Sequence, residues 1–345
     1  MGGKPFLTFR QQAEQIVARG MKSRAQEDTC SLIDAIERDL RFINYYRFSA
    51  YWYPFWKKDE AGNKQDIYEV GTNWETVRSL YMFDRRLRGL IFDAISRVEI
   101  GLRTQIAHIW SQQFGIDNPQ QSTEGFRTSY SRTNKTTTVS KRKELLDKVN
   151  QAYWKSKDDF AVHHRNDLGI QHAKELPIWV FVEFTTFGNL ANLLSHGLDP
   201  AIVQAVSNSF GIKDKSFFVS CINLLNEARN ICAHQGRIWN RSWLSAKSTQ
   251  LLKKTRMPEW RCKWDAQAGR WRQKPSSGSQ FLLKDNDSTA IVLTVCNILL
   301  RAAASHSHWK ERLLDLLTNQ DAPLPDMYVH LGFTNPHWHE HQLWK

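Results

Sequence analysis

No stretch of 18 uncharged apolar residues occurs in this 345-residue chain, so the sequence offers no candidate for a membrane-spanning helix. The first ten residues also lack the apolar run of a secretory signal peptide. The cysteines are odd in number and have no Cys-x-x-Cys pair, which argues against structural zinc and favours free thiols in a reducing compartment. They are Cys30, Cys221, Cys232, Cys262 and Cys296. We therefore expect a cytoplasmic protein with no membrane partner.

Several catalytic motifs are missing as well. The chain has no phosphate-binding Gly-rich loop, no Gly-x-Ser-x-Gly and no His-Glu-x-x-His, which removes the basis for ATP, nicotinamide, serine-hydrolase and zinc-protease chemistry. A histidine-rich stretch near the C-terminus follows Pro323, Pro325 and Pro336 and lacks a helical spacing that would fix metal geometry. We expect neither a cofactor nor a metal.

Positive charge, in contrast, is plentiful and concentrated. The formal net charge is +12 and the sequence pI about 9.5. The segment Asn226 to Pro275 contains twelve Lys or Arg residues and three acids, and Arg127 to Lys143 contains six Lys or Arg residues and no acid. The combined net charge of these two segments is larger than that of the whole chain. The first also carries Trp239, Trp243, Trp260, Trp264 and Trp271. This combination predicts RNA binding, although packing of these rings in a core is the alternative.

Hydrophobic periodicity predicts a mainly α fold. Apolar residues recur at steps of three and four from Leu80 to about Gly115, and helical patterns return in Ile178 to Ser195, Phe217 to His234 and Ala290 to Ala304, the last with a continuation towards Leu317. No alternating pattern is long enough for a sheet. We expect a helical N-terminal region (1–116), a basic polar loop or mobile insert (117–143), a helical domain (144–320) and a C-terminal tail (321–345).

The densest polar constellation, Arg229 to Arg241, lies where the third of these helices ends at Gly236. Asn230 and His234 are four residues apart and share a face, and the long side chain of Arg229 can swing towards the same ligand. Metal-free RNA cleavage needs proton transfer to and from ribose oxygens and a cation beside the phosphate, which His and Arg supply. The alternative is that Arg229 and His234 only cap the helix and pair with acids.

A second Arg-x4-His copy, Arg103 with His108, has Glu99 four residues before its arginine, a common helix ion pair. We interpret this copy as structural or RNA-facing. Glu183 lies in a segment that is apolar nearly all round, so we expect it to be buried and paired with Arg229 or Arg103. Such a pair either orients an active-site arginine or is purely structural. The expected RNA-binding residues are Arg237, Arg241, Lys253, Lys254, Lys141, Arg142 and Lys143.

Two blocks of the sequence, Ile43 to Phe55 and Arg229 to Arg241, make the chain resemble the bacterial Abi-like (AbiD/AbiF) abortive-infection family over roughly residues 4 to 245. Phe83 to Arg88 and Phe187 to Leu190 also match. That family is similar to HEPN ribonucleases, helical proteins that usually dimerise so that two Arg-x4-6-His motifs form one RNA-cutting site. The resemblance implies catalytic roles for Arg229, Asn230 and His234, with Glu183 as their polar partner on a facing helix of a HEPN-like bundle.

The resemblance further implies an antiviral toxin, restrained in some members by a non-coding RNA antitoxin. Three hypotheses follow. The first is a metal-independent endoribonuclease that acts by 2′-OH attack. The second is a non-catalytic RNA-binding or regulatory module that uses the same helix for dimerisation. The third, a protein that modifies nucleotides or protein partners, is disfavoured because the chain has no phosphate-cradling loop.

Overall fold

The computed structural model describes residues 6–25, 28–115, 122–133, 138–172, 176–243, 262–273, 288–318 and 323–345. The chain divides into two compact units. Unit 1 comprises Met1–Gly89 and Glu311–His330, and unit 2 comprises Leu90–Lys310 and Leu331–Lys345.

Unit 1 is built from short capped helices and the first part of a long one. Side chains of Thr8, Asp28 and Asn44 accept hydrogen bonds from the first turns of its first three helices. The elements in order are α1 (Phe9–Ala18), α2 (Thr29–Leu40), α3 (Tyr45–Trp52), a 3₁₀ turn (Tyr53–Phe55), the antiparallel pair β1 (Trp56–Lys58) and β2 (Lys64–Tyr68), and the beginning of α4 (Trp74–Phe114).

Unit 2 contains the remainder of α4 and most of the later helices. Its elements are β3 (Ser131–Thr133), β4 (Thr138–Ser140), α5 (Lys141–Lys155), α6 (Asp159–His172), α7 (Ile178–Glu183), α8 (Phe187–Asn192), a π-helical turn (Leu193–Gly197), α9 (Pro200–Ser209), α10 (Lys215–Ala233), β5 (Cys262–Asp265), β6 (Arg270–Gln273) and α11 (Ser288–Ala303). A 3₁₀ helix, Pro336–Glu340, lies near its C-terminus. α12 (Trp309–Thr318) and α13 (Met327–Leu331) lie mostly in unit 1.

Aromatic packing fixes α3 on the start of α4 within unit 1. The Phe48 ring lies 4.9 Å from the Trp74 ring and 5.2 Å from the Tyr81 ring, centroid to centroid. Tyr51 meets Tyr81 edge-on at 5.5 Å. Such pairs contribute about 0.5–1.5 kcal/mol each beyond the area they bury. One face of the aromatic block Ile43 to Phe55 is therefore part of the core of unit 1.

A charged network is enclosed in this aromatic core. Asp84 and Arg88, four residues apart on α4, form an ion pair whose side chains are 0% and 4% exposed. The Tyr51 hydroxyl donates to the same carboxylate at 2.6 Å. Burial, followed by the Asp84 charge, raises the pKa of Tyr51, so the phenol remains a donor.

In unit 2, the core is centred on α10 and α11. α11 is apolar nearly all round, and Val292, Val295 and Leu299 are fully buried. The region expected to form a C-terminal tail contains buried Trp338 and Trp344, and the backbone carbonyl of Leu343 accepts a hydrogen bond from Asn297 on α11 at 2.9 Å.

The described part of the basic insert packs against other segments of unit 2. Arg127 donates its backbone N–H to Gly197 at 2.8 Å, and Asp199 donates to Gly125 at the same distance. Gly125 has φ +77°, and a Cβ atom there would lie 2.1 Å from the Trp110 indole nitrogen. Phe126 and Tyr130 are buried. Polar composition suggested a free loop, but two buried rings and a close glycine contact hold it in place.

The mainly α prediction is confirmed. α4 ends where the periodicity placed its end, and α11 matches the helix predicted over Ala290 to Ala304. α11 does not continue to Leu317. It ends at Ala303, and His308, directly before α12, adopts a left-handed φ of +48°. The described β hairpins consist of strands three to five residues long, too short to leave an alternating signal in the sequence.

The single helix expected over Ile178 to Ser195 is wrong. The helix ends after Glu183. The Thr185 hydroxyl donates a hydrogen bond to the Phe181 carbonyl at 2.8 Å, and the Thr186 side chain caps the next helix, α8, by accepting a hydrogen bond from the backbone N–H of Asn189. Glu183, the last residue of α7, is 51% exposed, and Trp179, four residues before it on the same helix face, is 56% exposed, so the prediction that Glu183 is buried is also wrong. Of the helices described, none has the length and apolar character needed to cross a bilayer.

The buried network makes a stability prediction. Asp84→Ala leaves the Arg88 guanidinium enclosed without its carboxylate, and we expect a loss of about 3–5 kcal/mol in the free energy of unfolding. Tyr51→Phe removes one hydrogen bond to a charged group and costs about 1.5–3 kcal/mol. Denaturant titration measures both.

The matched control is another pair four residues apart on α4. Asp93 and Arg97 are 31% and 41% exposed, so Asp93→Ala should cost less than about 1 kcal/mol. Equal losses for Asp84→Ala and Asp93→Ala would contradict a special role for the buried pair.

Candidate functional site

The candidate site lies at the carboxyl end of α10. Asp214 caps the start of this helix by accepting hydrogen bonds from Ser216 and Phe217. One stripe of the helix is buried, formed by Phe217, Cys221, Leu224, Leu225, Ala228 and Cys232. The opposite side of its last turns carries Arg229, Asn230 and His234, and all three are exposed. The amphipathic pattern thus places the three predicted catalytic residues together in solvent.

The helix ends in a tight hydrogen-bonded turn directly after them. His234 is the C-cap, and the following residue, Gln235, adopts a left-handed φ of +57°. Gly236 donates to the Ile231 carbonyl at 2.8 Å and Gln235 to the Cys232 carbonyl at 3.1 Å, the pattern of a Schellman motif. The prediction placed the end of this helix at Gly236. The left-handed residue is instead Gln235, a conformation that costs a non-glycine residue about 1–2 kcal/mol.

Few contacts restrain the side chains of Arg229, Asn230 and His234. The Arg229 guanidinium lies 3.5 Å from the Asn230 side-chain oxygen. His234 is held through its backbone, whose N–H donates to the Asn230 carbonyl at 3.0 Å. Among the residues that the structure describes, the His234 imidazole has no hydrogen bond or ion pair. Pairing with acids, the alternative role considered for Arg229 and His234, is therefore not found in this part of the chain.

A close helix contact orients α10 in unit 2. A Cβ atom on Gly188, in α8, would lie 3.4 Å from the Asn226 side chain, and the Asn223 amide donates to Ser195 at 2.9 Å. These two contacts pair later residues of α10 with earlier residues of the α8 region, so the segments run antiparallel. The carboxyl end of α10 therefore points towards the amino end of α8.

Sequence reasoning missed this contact, although a signal existed. Asn223, Asn226 and Asn230 recur at steps of three and four on a helix that is otherwise largely apolar. Such a polar stripe predicts a face that meets hydrogen-bonding partners. Ser195 and Gly188 then supply a hydroxyl and the space for close approach.

The second Arg-x4-His copy has a different environment. Arg103 forms ion pairs with Glu99 on its own helix and with the Glu183 carboxylate at 3.4 Å, and it donates to the Glu183 backbone carbonyl at 2.5 Å. Its side chain is 15% exposed. His108 is exposed on the same helix. Of the two partners suggested for Glu183, the structure thus pairs it with Arg103.

The predicted RNA-binding residues fall into different settings. Arg142 donates to the Ser122 carbonyl at 2.9 Å and lies 5.2 Å from the Phe126 ring, and burial lowers the pKa of its guanidinium. Lys141 lies 6.0 Å from the Tyr130 ring, and Lys143 is exposed. The pKa of Tyr130 is raised to about 12, by burial and then by the charge of Glu144. Arg142 therefore has a structural contact, whereas Lys143 is available to a ligand.

The remaining basic residues follow α10. Arg241 is exposed and Arg237 half-buried, whereas Lys253 and Lys254 lie outside the described residues, as does Trp260. Trp239 and Trp243 are buried, and the Trp243 indole donates to Thr289 at 3.1 Å. Core packing, the alternative to base stacking, is therefore correct for these two rings.

No group of three or more His, Cys, Asp or Glu residues that could hold a metal occurs in the described ranges. In the histidine-rich stretch, His337 bonds to Glu340 at 2.8 Å, and His341 is buried.

The fold and the site define a mainly helical protein that presents arginine, asparagine and histidine at one helix end. The sequence model of the Abi-like protein family matches residues 38–240, well over half of the chain, and includes both the aromatic block of α3 and the end of α10. The chain belongs to the Abi-like family, and this membership indicates a function in abortive infection. No curated protein and no solved structure matches the chain.

The turn after His234 allows a test of local strain. Gln235→Gly relieves the left-handed penalty of about 1–2 kcal/mol and adds about 0.5–1 kcal/mol of unfolded-state entropy, so we expect stabilisation by up to about 1 kcal/mol. Gly236→Ala places a Cβ atom 2.8 Å from the Ile231 side chain and 3.2 Å from its carbonyl oxygen, and should destabilise by about 1–3 kcal/mol.

Gly89→Ala is the control for the glycine substitution, because nothing lies within 4 Å of a Cβ atom at this helical position. It should stabilise by up to about 1 kcal/mol through helix propensity. Thermal unfolding of the three variants distinguishes these effects. Equal behaviour of Gly236→Ala and Gly89→Ala would contradict the described turn.

Proposed function

We propose that this Abi-like protein is a metal-independent endoribonuclease of the HEPN type, with its catalytic residues at the end of α10. The observation that carries the proposal is the exposure of Arg229, Asn230 and His234 on one helix end, with an imidazole that no described residue engages. The likeness of the Abi-like family to HEPN ribonucleases supports it. RNA is the expected ligand, either as substrate or as a non-coding RNA antitoxin that restrains the enzyme.

The proposed reaction uses the ribose 2′-OH of the substrate. The 2′-oxygen loses its proton to a base and forms a bond to phosphorus, and the bond from phosphorus to the 5′-oxygen breaks as that oxygen gains a proton. His234 transfers one of these protons, and the Arg229 guanidinium stabilises the charge that develops on the phosphoryl oxygens. Asn230, which lies beside Arg229, orients the guanidinium and the phosphate.

Two copies of the chain complete the proposed site. An arginine and a histidine five residues apart on one helix cannot surround a phosphate alone, and a second subunit supplies the other proton-transfer group and another cation. Glu183 then acts within its own subunit, where it positions Arg103. Lys143 and Arg241, both exposed, are the described cations best suited to hold the RNA backbone.

The proposed chemistry makes a testable prediction. In excess EDTA, the wild-type protein should cut RNA to products with a 2′,3′-cyclic phosphate, or its hydrolysis product, and a 5′-hydroxyl. A single 2′-deoxy substitution at the cut site should block cleavage, because the attacking group is gone. His234→Ala should lower the rate by about 10²–10⁴ while RNA binding survives. End analysis and single-turnover kinetics measure both.

His108→Ala is the matched comparison, since it removes the histidine of the other Arg-x4-His copy. We expect it to cut RNA as the wild type does, because Arg103 in that copy is held by two carboxylates. Products with a 5′-phosphate would mean that water attacks instead. RNA binding without any cleavage would support a non-catalytic RNA-binding module.

A further prediction concerns the dimer. The cleavage rate per subunit should rise with protein concentration and level off where sedimentation shows a dimer, because each site needs both copies. Adding excess His234→Ala protein to dilute wild type should lower the wild-type rate through mixed dimers. A protein that cuts RNA while it remains monomeric at micromolar concentration would contradict the composite site.

A further inference from the structure

Helix α10 carries a line of polar side chains that leads to its carboxyl end. Asn226 lies four residues before Asn230, and Asn230 lies four residues before His234. Four residues exceed one helical turn by only about 40°, so the three side chains follow one another along the same side of the helix. Asn226 is the member of this line to which the proposed reaction gives no role.

The Asn226 side-chain amide is not engaged by the fold. It is half-buried, and within the described residues it has no hydrogen bond. Asn223, three residues earlier on α10, differs in this respect, because its amide donates to the Ser195 hydroxyl and to the Val219 carbonyl, both at 2.9 Å. The packing of unit 2 thus uses the amide of Asn223 but not that of Asn226.

Gly188, on the facing helix α8, keeps the Asn226 amide open. Gly188 is exposed, and its φ lies outside the left-handed region. A Cβ atom at this position would make an ordinary contact with the Asn226 side-chain oxygen, at 3.4 Å. Alanine would therefore fit and would favour the helix, but its methyl group would cover the amide. Glycine leaves the donor and the acceptor of Asn226 accessible.

The distance from Asn226 to the proposed site suits an adjacent nucleotide. Four residues span about 6 Å along a helix, so Asn226 lies about 6 Å before Asn230 and about 12 Å before His234. A stacked nucleic acid strand advances about 3.4 Å per nucleotide, and an extended strand advances further. A strand that follows this side of α10, with its reacting phosphate at Arg229 and His234, therefore places a neighbouring nucleotide beside Asn226.

The chemistry of the amide favours a base over the RNA backbone. A carboxamide presents an acceptor oxygen and a donor nitrogen side by side, and adenine offers the matching donor and acceptor at N6 and N7. Single-stranded RNA exposes such base edges once a base is unstacked. A phosphate offers acceptors only, so it would leave the Asn226 oxygen without a partner.

We propose that Asn226 determines the base preference of the site by hydrogen bonding to an adenine close to the phosphodiester bond that is cut. The inference rests on the proposed function for RNA as the ligand and for the place of the reacting phosphate. It adds sequence selection to cleavage, with Asn226 as the residue that contacts the base.

The test uses the full-length His234→Ala protein and a pool of short single-stranded RNAs of random sequence, and the bound fraction is sequenced. One position should be enriched in adenine over the other bases by about fivefold to about 150-fold. Adding Asn226→Ala should remove this enrichment. Asn226→Asp should remove it as well, because the carboxylate has nearly the same shape but cannot donate.

Two variants separate base recognition from packing. Asn223→Ala removes the neighbouring asparagine, whose amide bonds to Ser195 and Val219. It should lower the midpoint of thermal unfolding but keep the adenine preference. Gly188→Ala should have the opposite effect, since its methyl group covers the Asn226 amide without straining α8. We expect a weaker adenine preference at an unchanged or higher midpoint.

Absence of adenine enrichment in the His234→Ala protein would overturn the proposal, as would enrichment that survives Asn226→Ala. The outcome is separable from that of the proposed function. If wild type and Asn226→Ala cut RNA at the same sequences, the role of Asn226 fails while the ribonuclease stands. If adenine enrichment depends on Asn226 but the wild type cuts no RNA, the ribonuclease fails while base recognition by Asn226 stands.

Discussion

Because one face of α10 is buried in unit 2, the helix cannot turn about its axis without exposing large apolar side chains. Phe217, Leu224 and Leu225 are each at most 1% exposed, and bringing one such side chain into water costs about 1.5–3 kcal/mol. This constraint keeps Arg229, Asn230 and His234 in solvent. The Schellman turn then ends the helix at His234, which leaves the imidazole at an open terminus and not in the middle of a packed surface.

The two Arg-x4-His copies have identical spacing, but their arginines have different charged neighbours. In the first, Glu99 and Glu183 neutralise Arg103, and a backbone carbonyl takes another of its donors. In the second, Arg229 has only the uncharged Asn230 amide beside it among the described residues. A guanidinium already paired with two carboxylates has little positive potential left for a phosphate. The structure thus gives a physical reason to prefer the copy on α10, which the spacing alone could not provide.

The fold class and the end of α10 could be predicted from sequence because each depends on local signals. The apolar period of α4 is one example. For α10, Gly236 marks the end of the helix to within two residues, although the left-handed position is taken by Gln235. The exposure of Glu183 could not be predicted in this way. The segment from Ile178 is apolar enough to suggest a helix that is buried on all sides, but Trp179 and Glu183, four residues apart on α7, share an exposed face. An apolar residue such as Trp179 does not by itself show that its face of the helix is covered.

For aromatic residues too, the sequence did not predict which side chains are buried. Trp239 and Trp243 stand in a strongly basic segment and resemble a stacking platform, yet both are buried, with Trp243 bonded to Thr289. The block around α3 resembles a plain hydrophobic core, yet Tyr46 and Tyr53 face water. Composition shows that rings and cations occur together, but the phase of each helix and the packing around it decide which rings are buried and which are exposed.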